Sequence, residues 1–182
     1  MPFKLLIVDP DPAMRHPISN PGGFISTDWD QKLYPGVLDA LNGYAADGWH
    51  IHAITNQGGI GSKKMSWEMG EACQAYLMKM APCIQSVVYC PDMDGKECWI
   101  KLATGDLAPL HTVEKFQSLN FRQPAKGMIE VLRSMYVPDE ILCLGSRDED
   151  ERAAGKAKVP YMKVDAWLRA WQAANPVAGV VA

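Results

Sequence analysis

Two aspartates stand one residue apart where the first apolar run ends. The stretch "KLLIVDPDPAM" (4–14) sets Asp9 and Asp11 after Leu5, Leu6, Ile7 and Val8, with only Pro10 between them. Carboxylates this close repel each other unless positive charge lies beside them. A divalent cation would suit, because Mg²⁺ takes hard oxygen ligands, commonly one or two carboxylates, and completes its shell with water and substrate oxygens. With a phosphate on the far side of the metal, one carboxylate can attack phosphorus while the other passes a proton to the leaving oxygen and later takes one from water. A second stretch, "ITNQGGIG" (54–61), offers the Thr55 hydroxyl followed by backbone amides able to cradle phosphate oxygens, its glycines letting the backbone come close. Each stretch also has a plainer alternative: an acidic, proline-stiffened turn for the first, and a turn with Asn and Gly at positive φ for the second.

The elements that must position these groups can be read from periodicity. Apolar runs of strand length (4–9, 49–55, 86–90, 140–145 and 161–164) alternate with helix-period segments (35–48, 66–81, 125–136, 148–157 and 165–174). Ser66 is the expected N-cap of the second helix. Residues 10–34 read as a long loop, and "PDMDGKECWIKLATGDLAPLH" (91–111) as a hairpin or small insertion. Strands separated by helices predict right-handed crossovers, hence an α/β fold with a mainly parallel five-stranded sheet and helices on both faces. In such a sheet ligands sit beyond the carboxyl ends of the strands. Asp9, Thr55, Cys90 and residues 145–150 all fall there. A single domain over 1–175 is expected, with 176–182 as a flexible tail.

Composition narrows the partners. The 182 residues suffice for one domain with a sizeable core, and 48% apolar with 21% charged residues is ordinary for a globular protein. A net charge of −3 supplies no basic footprint for tight duplex binding. Five cysteines (Cys73, Cys83, Cys90, Cys98 and Cys143) are an odd number without a secretory start, which predicts reduced thiols in a cytoplasmic protein. No apolar run approaches the roughly 18 residues of a membrane span, and the first residues are too short and wrongly flanked for a signal peptide.

Four stretches, in this order, resemble the haloacid dehalogenase-like phosphatases: "LLIVDPDP", "LYPGVLDALNGYAADGWHIHAITNQGGIG", "FRQPAKGMIEVL" and "ILCLGSRDEDERAA". They span most of residues 4–155, and the second is the most specific. Within the superfamily the chain is most similar to the branch of polynucleotide 3'-phosphatases and histidinol- and heptose-bisphosphate phosphatases, and "DW" at 28–29 resembles the first of these. The resemblance implies a three-layer, Rossmann-like fold with a minimal cap and a Mg²⁺-dependent phosphomonoesterase working through an aspartyl-phosphate. It implies Asp9 as nucleophile and metal ligand, and Asp11 as general acid/base with its backbone carbonyl on the metal. Thr55, Asn56 and Gln57 would hold the phosphoryl group, Asp150 would complete the metal site, and Lys126 is the lysine nearest the expected charge-neutralising position. The implied substrate is a nucleic-acid 3' end, with a phosphorylated sugar as the alternative.

The chain also departs from that pattern. Pro12 and Ala13 stand where the family usually continues with Gly and Thr, Gln123 where its third motif has lysine, and Ser146 where its fourth has a metal-binding aspartate. A serine hydroxyl is a far poorer Mg²⁺ ligand than a carboxylate. Two expectations follow: a working phosphatase with a rearranged site, or a relative that keeps the fold and binds a ligand or partner without turnover. "CPDMDGKEC" (90–98) resembles a zinc loop of some heptose-bisphosphate phosphatases, but Cys90 and Cys98 stand alone, with His111 the only imidazole nearby. His50 and His52 alternate on a strand and are read as packing or solvent-facing.

Overall fold

In the computed structural model, which describes residues 2–176, the side chains of the first strand alternate between two cores. Leu5 and Ile7 enter one apolar cluster with Ile54, Val88, Ile129 and Ala153; Leu6 and Val8 enter the other with Val37, Leu41, Leu77 and Trp167. A strand buried on both faces must be apolar throughout, and this explains why residues 5–8 form a continuous run. The expected tail at 176–182 lies, from 177 on, outside the described residues.

In chain order the elements are β1 (Lys4–Val8), β2 (Arg15–His16), β3 (Lys32–Leu33), α1 (Val37–Ala46), β4 (Trp49–Asn56), α2 (Gly58–Gly61), α3 (Trp67–Met80), β5 (Ile84–Cys90), β6 (Trp99–Leu102), β7 (Leu107–Pro109), α4 (Gly127–Tyr136), β8 (Glu140–Gly145), α5 (Asp148–Ala157), β9 (Tyr161–Lys163) and α6 (Val164–Ala174). The sheet runs β7-β6-β5-β4-β1-β8-β9. Its five strands from β5 to β9 pair in parallel, as the alternation of elements predicted. Two antiparallel strands, β6 and β7, extend the β5 edge to seven strands. They come from the 91–111 segment, whose sequence suggested a hairpin without fixing that it joins the main sheet. The clusters place α4 and α5 on one face and α1, α3 and α6 on the other.

The ends of these elements are set locally. Ser66 caps α3 as expected, its Oγ accepting the Met69 N–H at 3.2 Å. The loop after β1 contains only the two-residue pair β2–β3, joined antiparallel. That pair is a sheet of its own, whereas β6 and β7 join the main sheet. No helix among the described residues is long and apolar enough to cross a membrane.

His52, inside β4, shows how the parallel core treats a titratable group. It is buried, its Nδ1 meets Ser86 Oγ at 2.7 Å, its ring packs against Tyr136, and its Nε2 has no partner. Burial, with a smaller contribution from His50, lowers its pKa from 6.5 to about 4. The unfolded chain therefore takes up the proton first as pH falls, and stability is lost from the unfolded value downward. At pH 5 the loss attributable to His52 should be about 2 kcal/mol. Urea denaturation at pH 7 and pH 5 should show that His52→Gln removes this part of the acid sensitivity; an unchanged pH slope would contradict it.

Candidate active site

The carboxyl ends of β1, β4 and β8 bring the first two aspartates together with Thr55 and residues 145–150, as the topology required. Asp9 follows directly on β1. Its N–H donates to the Leu144 carbonyl at 2.8 Å, and its Oδ1 accepts the Asp11 N–H at 2.9 Å. It is only 2% exposed.

Asp11 turns its carboxylate away from Asp9 toward a buried arginine. Arg15 Nε donates to Oδ1 at 2.7 Å and Nη2 to Oδ2 at 3.1 Å, a two-pronged contact in which both partners are charged. The remaining Arg15 donors reach Gln31 Oε1 at 2.8 Å, the Cys73 carbonyl at 3.1 Å and Gln74 Oε1 at 3.0 Å. Thr55 Oγ1 and Gln57 Nε2 add further bonds to Asp11 Oδ2 at 2.9 and 3.2 Å. Burial by itself would raise the Asp11 carboxyl, but the Arg15 charge and hydrogen bonds outweigh it and hold the group below its ordinary value. Asp11 is therefore ionised at neutral pH.

Asp150 faces Asp9 from the start of α5. Its Oδ2 accepts the Ser146 and Arg147 N–H groups, both at 2.9 Å, and its Oδ1 accepts Gln123 Nε2 at 3.0 Å. A carboxylate in the first helical turn satisfies amides that have no partner within the helix. The approach is so close that a Cβ on Gly145 would come within 2.6 Å of the Asp150 side chain, so no other residue fits at 145 without displacing it. Asp9 is pushed well above the usual carboxylate range by burial first, then by the charges of Asp150 and Asp11. Arg147 opposes this: its Nη2 donates to the backbone carbonyl of Asp11, and its Nη1 meets Glu149 at 2.7 Å.

The other sequence-predicted residues take differing places. Thr55 and Gln57 lie on Asp11. Asn56 clasps the third motif instead, its side chain bonding the Gln123 carbonyl at 3.1 Å and the Gln123 N–H at 3.0 Å. Lys126 is not brought to the cluster: it precedes α4, and its half-exposed Nζ pairs one turn on with Glu130 at 3.0 Å. This local (i, i+4) partner explains why a lysine three residues past Gln123 does not replace the family's lysine. In the 90–98 loop, Cys90 Sγ donates to Asp92 Oδ1 at 3.2 Å, and the Cys98 N–H reaches His111 Nδ1 at 3.3 Å, so these groups serve local bonds. Sequence reasoning missed Arg15 and Arg147. The Asp11–Arg15 spacing of four was a signal for the first; nothing in "GSRDED" marks the second as inward-reaching.

Among the described residues no three His, Cys, Asp or Glu side chains form a ready metal cage. A cation at Asp9 would draw on mixed oxygens: the Asp9 carboxylate, the Asp11 carbonyl, and behind them Asp150 and the buried Gln123 Oε1, which has no donor. That orphaned oxygen and the unmet negative charge of Asp9 fit a hard divalent ion.

A crowded, buried Asp9 should destabilise the fold at neutral pH. Its folded-state pKa lies above the unfolded one, so the cost appears as pH rises past the unfolded value. In metal-free buffer, Asp9→Asn should raise Tm at neutral pH, with the gain shrinking toward pH 4. A lowered Tm would refute the assignment of unrelieved charge to Asp9.

No protein-family model matches the chain. It is 26% identical over 140 residues, 72% of its own length and 81% of the relative's, to a protein of Thermoplasma volcanium assigned as a D-glycero-D-manno-heptose-1,7-bisphosphate 7-phosphatase. Among solved structures it superposes on the D,D-heptose 1,7-bisphosphate phosphatase from B. bronchiseptica complexed with magnesium and phosphate, with TM-score 0.66, 18% identity, and coverage of 87% of this chain and 79% of the other. A HAD-like phosphatase structure from Mesorhizobium loti gives TM-score 0.67 at 17% identity, covering 94% and 85%. The five parallel strands and these superpositions agree on the fold: the chain shares the architecture of haloacid dehalogenase-like phosphatase structures and is similar in sequence to a heptose-bisphosphate phosphatase.

Proposed function

We propose that the chain is a Mg²⁺-dependent phosphomonoesterase that acts on a small phosphorylated sugar through an aspartyl-phosphate on Asp9. The observation carrying this reading is the buried Asp9 at the tip of the central strand, with one oxygen fixed by the Asp11 amide and its charge only partly offset by Arg147. An Asp9 oxygen attacks phosphorus, the bond from phosphorus to the leaving oxygen breaks, and the released alkoxide takes a proton from solvent water; the proton that Asp11 collects in the second step returns to solvent and closes the cycle. Water then attacks the phosphoryl group on Asp9, giving up its proton to Asp11 and freeing Asp9 and inorganic phosphate. Mg²⁺, held by Asp9 and the Asp11 carbonyl with Asp150 behind, would offset charge on the phosphoryl oxygens. Thr55 and Gln57 orient Asp11 for its part.

Two of the proteins named above carry heptose-bisphosphate phosphatase names, which favours a phosphorylated sugar over a nucleic-acid 3' end. A second reading, ligand binding without turnover, is favoured by one observation: Arg147 occupies the Asp11 carbonyl, while Gln123 and Ser146 stand at the positions of the family's lysine and aspartate.

The ionised Asp11 suits water activation better than protonation of a leaving group. Aryl phosphates, whose leaving oxygens need little protonation, should therefore turn over faster than alkyl phosphates by about a hundredfold. Phosphate release should be measured with a heptose bisphosphate, an aryl phosphate and a 3'-phosphorylated oligonucleotide, with and without Mg²⁺. We expect metal-dependent release, favouring the sugar over the oligonucleotide and lost at least about a thousandfold in Asp9→Asn. Release unchanged in Asp9→Asn removes Asp9 as nucleophile; no release from any substrate supports the binding reading.

A further inference from the structure

Arg147 holds a position that the proposed reaction leaves unexplained. It lies immediately before α5, with its backbone N–H on Asp150 Oδ2 at 2.9 Å. Its guanidinium spans inside and outside: Nη2 donates to the buried Asp11 carbonyl, and Nη1 pairs with Glu149 at 2.7 Å. The side chain is 36% exposed, so it has solvent beside it and a surface carboxylate to rest against. Among the described residues no other cationic group hydrogen-bonds the Asp11 carbonyl.

We infer that Arg147 is a displaceable internal cation: its guanidinium and a divalent metal compete for the Asp11 carbonyl and the field of Asp9, so binding of one excludes the other. This rests on the reading of Asp9 and the Asp11 carbonyl as the metal's ligands. The exclusion follows from elementary chemistry. A carbonyl oxygen engaged by a guanidinium is blocked to a metal on the same side, and two positive charges within a few ångströms repel each other. Arg147 thus does two things in turn. Without metal it partly neutralises Asp9 and Asp150; when metal arrives it leaves the Asp11 carbonyl and keeps only its Glu149 partner. The chain carries a neutral Ser146 beside the movable cation at 147, and its affinity for metal is set by how firmly that cation holds.

The test is calorimetric titration of Mg²⁺ into metal-stripped protein, without substrate and at fixed ionic strength. Wild type is compared with Arg147→Ala and with Arg147→Met, which keeps most of the side-chain volume. Arg152→Ala on α5 removes the same formal charge from an arginine whose recorded bond is to the Asp148 carbonyl. Both Arg147 variants should bind Mg²⁺ at least about tenfold tighter than wild type, the strength of one charge-assisted hydrogen bond. Arg152→Ala should change affinity less than about twofold, as screened surface charge does. Unchanged or weaker binding in the Arg147 variants, an equal gain in Arg152→Ala, or no Mg²⁺ binding by any protein overturns the inference. Phosphate release is scored separately: tighter metal binding with no turnover would leave the internal cation standing and remove the phosphatase reading.

Discussion

Buried negative charge at one edge of a parallel sheet is the constraint around which the site is arranged. Asp9, Asp11 and Asp150 converge there, and three carboxylates taken out of water cannot persist without compensation. The compensation is uneven. Asp11 receives a complete set of donors from Arg15, Thr55 and Gln57, and Asp150 receives backbone amides and an amide side chain. Asp9 receives one backbone N–H and the distant part of Arg147's field. The strand that ends in Asp9 is apolar on both faces, so the chain cannot bend to expose it. The carboxylate at the strand tip is the one that the fold compensates least.

The architecture distributes these duties among elements with different rigidity. β1 and β4, buried in the middle of the sheet, fix Asp9 and Thr55. The loop carrying Arg15 is tied to α3 through Gln74 and the Cys73 carbonyl, so the charge balance of Asp11 depends on a helix packed far along the chain. Arg147 belongs instead to a connection of only two residues, between Gly145 at the end of β8 and Asp148 at the start of α5, and keeps contact with solvent. The settled carboxylate is held by buried groups and the unsettled one is faced by a partly exposed one.

Much of the fold was legible in the sequence because its signals are local. The runs at 4–9 and 140–145 are apolar since both faces of those strands are covered, and Ser66 caps α3 by a contact three residues long. The β6–β7 pair was less legible, because joining an edge is a long-range event that weakly patterned strands do not announce. In the site, the carboxyl-end rule brought together Asp9, Thr55 and Asp150, whose places depend on topology alone. It did not reveal Arg15 or Arg147, since where a long cationic side chain ends depends on packing that no spacing encodes. Lys126 illustrates the same limit in reverse: its sequence position is close to the site, yet the helix gives it Glu130 first.

The clasp between Asn56 and Gln123 carries a consequence for how this site can change. By gripping both the N–H and the carbonyl of Gln123, Asn56 fixes the direction in which that residue's side chain leaves the backbone, toward Asp150. A lysine placed at 123 would follow the same path and arrive at a carboxylate already within the field of Arg147. Its charge would add to that of Arg147 beside the same group of buried carboxylates. Substitutions at 123 and 147 therefore act on one shared charge balance, and their effects will not simply add.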